Sequence, residues 1–206
     1  MQSGINRLLC LREENNAAGE EMRQEQKRIE TIANRHFLGT APRAVIGFNL
    51  FQTPENVAER MAGILRERVT GGRILEPSVG LGRLYRPLAD LQADWVMIEE
   101  ARECVTALRA MLKREVQERD FLQVSDIGQF DGVIMNPPFK QGKDIKHILH
   151  AYDMLKTGGR LVSLCYNGVK QNEQLKPIAS RWEALPEGSF KSEGTSASVA
   201  ILVMDK

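Results

Sequence analysis

The stretch 132–139 does most to restrict the fold. Gly132-Val133-Ile134-Met135 is a short apolar run, and Asn136-Pro137-Pro138-Phe139 follows it directly. A run of this kind reads as a buried strand. Two consecutive prolines then exclude both ladder pairing and an immediate helix, because neither has a backbone N–H and each fixes its own φ. A polar amide and an aromatic ring are therefore set on a stiff turn at the carboxyl end of a strand. Open α/β sheets bind ligands along that edge. The Asn136 side chain has an oxygen that accepts and an amino group that donates. The Pro137 carbonyl is a second, rigidly held acceptor. Together they could grip a planar amino group while Phe139 stacks on the ring that carries it.

The 206 residues are enough for one α/β domain with a sizeable core. A formal net charge of +1 provides no global field to recruit a polyanion, so any nucleic-acid contact has to come from a local patch. Cys10, Cys104 and Cys165 are widely spaced and odd in number, which suits free thiols in a reducing compartment. No apolar stretch is long enough to span a membrane, and no signal-peptide core stands at the N-terminus. The expectation is a cytoplasmic protein. His147 and His150 lie three apart without a cysteine or acidic cluster beside them, so no metal site is expected.

Along the chain, residues 1–40 read as an N-terminal helical extension, with strong helix formers over 20–33, and residues 41–206 as the main domain. Thr53 and Pro54 fit the N-cap and first position of a helix over 55–69. Ile74 and Leu75 read as the first strand. The Glu76-Pro77-Ser78-Val79-Gly80-Leu81-Gly82 turn follows, with glycines that let backbone approach a ligand closely. It is neither a dinucleotide fingerprint nor a P-loop, lacking the third glycine of one and the Gly-Lys-Ser/Thr of the other. Residues 95–98 form a second apolar run ending in Glu99, placed to accept from ribose hydroxyls, and a helix is predicted over 101–113. A short third strand precedes Asp120-Phe121. Lys140 and Lys143 form a basic loop that could touch phosphates. A helix is predicted over 144–156, a strand over 160–165, a helix over 175–182, and two closing strands, near 185–190 and 198–203, as a hairpin.

Taken in order, Phe51-x-Thr53-Pro54, the Glu76 to Gly82 loop and Asn136 to Phe139 resemble class I S-adenosylmethionine-dependent methyltransferases of the amino-methylating group. The motif order is that of the enzymes that methylate adenine N6 in DNA. The closing Gly188-Ser189-Phe190-Lys191-x-x-Gly194-Thr195 resembles small phage and prophage methyltransferases. The resemblance implies a Rossmann-like, doubly wound seven-stranded sheet, mostly parallel with an antiparallel final strand, and helices on both faces. It implies S-adenosyl-L-methionine as cofactor, held by Phe51, Thr53, Glu76, Pro77, Gly80, Gly82, Glu99, Asp120 and Phe121. Within that set, Thr53 would meet the methionine carboxylate, Glu76 the methionyl amine, and Asp120 and Phe121 the adenine. Val79 and Leu81 are bulkier than the residues common at those positions, and are expected to narrow the pocket. The catalytic residues implied are Asn136, Pro137, Pro138 and Phe139. The implied partner is nucleic acid, DNA first. Without a large target-recognition domain, specificity would fall to short loops, a specificity subunit or a homodimer. An RNA base or a protein glutamine is the alternative acceptor, and a binding protein without turnover is the alternative of another class.

Overall fold

Seven strands form one sheet in the order β3-β2-β1-β4-β5-β7-β6 in a computed structural model, which describes residues 52–206. They are β1 (Gly72–Glu76), β2 (Ala93–Glu99), β3 (Gln117–Glu118), β4 (Phe130–Met135), β5 (Leu155–Tyr166), β6 (Arg181–Ala184) and β7 (Val199–Asp205). The pairs from β3 through β5 are parallel, whereas β7 runs antiparallel to both β5 and β6. This is the Rossmann-like topology expected. The extension 1–40, Phe51 and Cys10 lie outside the described residues.

The central strands are apolar on both faces because both faces are covered. Ile74, Met97, Ile134 and Val162 pack into one core layer, with Met61 and Leu65 of α1 (Glu55–Arg66) and Leu108 of α2 (Arg102–Leu112). Their neighbours Leu75, Ile98, Val133 and Leu161 pack into the opposite layer, with Ile148 and Ala151 of α3 (Lys143–Asp153). The chain order reverses between β1 and β4. The carboxyl ends of those two strands therefore flank the crevice at which such sheets bind ligands.

Four local expectations are corrected. The residue that caps α1 is Pro54, in extended conformation and without a side-chain cap, and Thr53 uses its hydroxyl elsewhere. The helix expected over 175–182 is instead α4 (Val169–Gln174), followed by a single 3₁₀ turn and then β6. The span 185–190 is a turn rather than a strand: Leu185 and Phe190 are buried, but Pro186 and Gly188 lie between them. The hairpin partner of β7 is β6, just upstream. Finally, α3 ends at Asp153, and β5 begins at Leu155, ahead of the two glycines expected to precede it.

Candidate active site

The turn after β1 is built around Glu99. Its carboxylate, 7% exposed, accepts from the Gly80 N–H at 2.8 Å through Oε2 and from the Ala101 N–H at 2.8 Å through Oε1. The Val79 N–H donates to the Ile98 carbonyl at 3.1 Å. The loop is thereby fastened to the end of β2. Gly80 and Gly82 adopt φ of 54° and 75°, a left-handed backbone that glycine takes without steric cost. Val79 and Leu81 are each 3% exposed and packed in core clusters, so they do not narrow the cleft.

Glu76, the last residue of β1, is buried, and its Oε2 has no hydrogen-bond partner. Burial, with a smaller contribution from Glu99, holds its carboxyl well above the usual range. A buried carboxylate of this kind is stabilised by a cation brought against it.

At the end of β4, Asn136 is half-buried and donates from Nδ2 to Thr53 Oγ1 at 3.1 Å. This bond joins residues 83 positions apart and sets which end of the amide accepts. It also accounts for the missing helix cap, because the Thr53 oxygen is used by Asn136. Pro137 is buried and Pro138 exposed, and Phe139 is half-buried with its ring against a core layer.

These elements border one cleft of about 720 Å³, lined among others by Pro77, Ser78, Glu99, Asp120, Phe121 and all four residues Asn136 to Phe139. Asp120 Oδ1 accepts from the Leu122 N–H at 3.0 Å, capping a 3₁₀ turn. Its other carboxylate oxygen makes no hydrogen bond among the described residues. Phe121 is buried, with its ring 4.8 Å from His150 and 5.7 Å from His147. Exposed Lys140 and Lys143 stand at the mouth.

Sequence reasoning missed His147, Tyr166, Thr195 and Ala197, which also line the cleft. His147 is 7% exposed, and burial pushes its imidazole down to about 4, so it is neutral at neutral pH. Tyr166 stands at the end of an apolar run, as Asn136 does, and the same end-of-strand logic applied to β5 would have found it. Among the described residues, no group of three or more histidine, cysteine or acidic side chains is arranged to hold a metal ion, and no helix is long and apolar enough to cross a membrane. Cys104 and Cys165 are free and buried.

A sheet of this order, with its glycine turn and cleft at the β1/β4 switch point, is that of a class I methyltransferase. The chain belongs to the methyltransferase small domain family, whose model matches residues 60–190, more than half of its length. Its methyl donor is S-adenosylmethionine. No curated protein sequence matches the chain. Among solved structures, it is similar to a candidate RNA methyltransferase from Pyrococcus horikoshii, at 19% identity and TM-score 0.60, over 77% of this chain and 88% of that one. A candidate class I S-adenosylmethionine-dependent methyltransferase from Listeria monocytogenes aligns at 17% identity and TM-score 0.65, over 88% and 68%. The 16S rRNA guanine-N2 methyltransferase RsmC of Thermus thermophilus, in complex with AdoMet and guanosine, aligns at 19% and 0.56, over 79% and 45%. The residues in and behind the cleft suit the cofactor chemically: Glu99 and Asp120 are acceptors along the cleft wall, and Glu76, one residue before the lining residue Pro77 and itself buried rather than lining the cleft, has an oxygen without a partner, complementary to an ammonium.

Proposed function

We propose that the chain moves the methyl group of S-adenosylmethionine to the exocyclic amino nitrogen of a nucleobase, and that the base is adenine, modified at N6 in DNA. The observation that carries this reading is the Asn136–Thr53 hydrogen bond, which fastens the Asn-Pro-Pro-Phe turn to the Thr-Pro segment beside one cleft. In that order the two motifs resemble the adenine-methylating DNA enzymes.

An exocyclic amine is a poor nucleophile because its lone pair is delocalised into the ring. Acceptors at Asn136 Oδ1 and the Pro137 carbonyl favour a more tetrahedral nitrogen, aim its lone pair and stabilise the positive charge that develops on it. Phe139 stacks on the base, and Pro138 keeps the turn rigid. The cofactor supplies an electrophilic methyl carbon on a sulfonium. In the transfer the N–C bond would form as the C–S bond breaks, and the amino proton would pass to solvent. On the cofactor side, Glu76 holds the methionyl ammonium, and Pro77, Gly80 and Gly82 shape the turn. Thr53 keeps its hydroxyl proton to donate to the methionine carboxylate, Glu99 accepts from the ribose, and Asp120 and Phe121 hold the adenine. Lys140 and Lys143 contact phosphates. A target base in a duplex has to leave the stack to reach Asn136.

A second reading, methylation of an RNA base, is favoured by the likeness to the P. horikoshii and T. thermophilus proteins. The test offers labelled S-adenosylmethionine with unmethylated duplex DNA, single-stranded DNA, transcribed RNA and a protein extract. Each is then digested and the labelled product identified. N6-methyladenine in DNA is the expected product. A methylated amino group in RNA instead replaces the substrate with that of the second reading, and label in protein alone overturns both.

A further inference from the structure

We infer that Tyr166 is a second aromatic contact for the substrate base, facing the same cleft as Phe139 and held in place by a buried Asp144–Gln171 pair. This inference rests on the nucleobase reading above and deepens it. Strands β4 and β5 are parallel neighbours, with Met135 level with Ser163. Tyr166 therefore lies two residues, about 7 Å, beyond the level of Asn136 on the adjacent strand. Ser163, Leu164 and Cys165 are fully buried, whereas Tyr166 is 41% exposed and lines the cleft.

The backbone there is supported by a substitute for a strand. The prolines turn β4 away from the sheet, leaving the end of β5 without a partner on that side. The Asp144 carboxylate fills the gap, its Oδ2 accepting from the Tyr166 N–H at 3.0 Å. Asp144 is fully buried, and Gln171 Nε2 donates to both its oxygens at 3.0 Å. Burial raises the Asp144 carboxyl, and these hydrogen bonds oppose the rise. The Tyr166 ring lies against the backbone of Gly168, where an added Cβ would come within 2.6 Å of Cε1. The ring is thus fixed on one side by main chain, and its hydroxyl makes no hydrogen bond among the described residues. Phe139 and Tyr166 border the same cleft without ring contact between them. An ordinary exposed strand-end tyrosine would need neither a fully buried carboxylate beneath its amide nor a glycine against its ring. Asp144, Gln171 and Gly168 are positioning residues, and Tyr166 is the residue that touches substrate.

The experiment measures kcat, the KM for nucleic acid and the cofactor Kd. The substrate is whichever polymer the wild-type protein labels from a panel of duplex DNA, single-stranded DNA and transcribed RNA. Tyr166→Ala is expected to raise the KM for that polymer about tenfold or more, the scale of one lost base–aromatic stack, with kcat and cofactor Kd within about twofold. Tyr166→Phe is expected to retain most of the affinity, and Gly168→Ala, which displaces the ring without altering it, to follow Tyr166→Ala. An unchanged KM in Tyr166→Ala overturns the inference, as does a parallel loss of cofactor affinity. A wild-type protein that binds cofactor but labels no polymer overturns the nucleobase reading itself, and that failure is visible before any variant is made.

Discussion

Glu76 and Asn136 show how much of this site depends on single polar groups at the ends of strands. Burial raises the Glu76 carboxyl well above its ordinary range, so the cofactor-free protein keeps it protonated at pH values where a free carboxyl has ionised. Pairing with a methionyl ammonium requires the ionised form. Cofactor binding is therefore expected to release a proton and to tighten as pH rises through the raised pKa. Calorimetry in buffers of different ionisation enthalpy measures that proton. Because the folded-state pKa lies above the unfolded one, the linked stability is complete below the unfolded value and is lost as pH rises through the folded value. Glu76→Gln is accordingly expected to weaken cofactor binding about tenfold or more while raising the melting temperature of the cofactor-free protein at pH 8. Unchanged affinity would remove Glu76 from the site. The sequence carried the residue type and its place beside the glycine turn, but not the burial that makes it an unpaired acid. Nor could it pair Asn136 with Thr53, since that contact exists only once β4 has docked beside the start of α1. Locally, a threonine before proline reads as a helix cap.

Among the elements, α1 is fastened to the sheet through Arg160 of β5. Its guanidinium pairs with both Asp205 oxygens, at 2.8 and 3.1 Å, and also donates to the Ile64 carbonyl and Glu67 at 3.0 Å each. One side chain thus joins β5, β7 and α1, the helix that follows Thr53. The Arg160 guanidinium holds the Asp205 carboxyl below its usual range. That contribution is present above the unfolded pKa and lost as pH falls through the folded one. Arg160→Ala is expected to cost about 2 kcal/mol in denaturant unfolding at pH 7, and less in acid. A loss that is the same at both pH values would contradict the assignment. Legibility at this scale followed apolar patterning. The strands of the central sheet announce themselves by runs such as 95–98 and 132–135, because both their faces are covered. The short edge strand β6, Arg-Trp-Glu-Ala, has no buried residue and gave no such signal. Helix α4, whose only buried side chain is Gln171, was equally silent, and Phe190 was mistaken for part of a strand because it is buried in a turn.

For the molecule as a whole, a net charge of +1 means that a nucleic acid is not drawn in by a global field. On the proposed function, its recruitment would fall instead to the local pair Lys140 and Lys143, which line the cleft. Replacing both with alanine is expected to lower the slope of log affinity against log salt by about 1.8 on duplex DNA, the loss of two phosphate contacts. An unchanged slope would remove them from the interface. The overall topology was legible from the order of motifs and strands, because the motifs from Glu76 onward stand at or just after strand ends and the switch point brings those ends together. Of the far wall, Tyr166 was open to the same end-of-strand logic, but Thr195 and Ala197 reach the cleft only through the β5–β7 pairing, which local sequence does not encode. On the proposed function, Asn136 acts on the methyl acceptor rather than on the cofactor. The most direct test of that role is Asn136→Ala, with cofactor Kd and methyl transfer measured on the same preparation. The expected result is a Kd within about twofold of wild type and transfer reduced about a hundredfold or more. Transfer that survives, or a Kd that fails in step with it, would contradict the account.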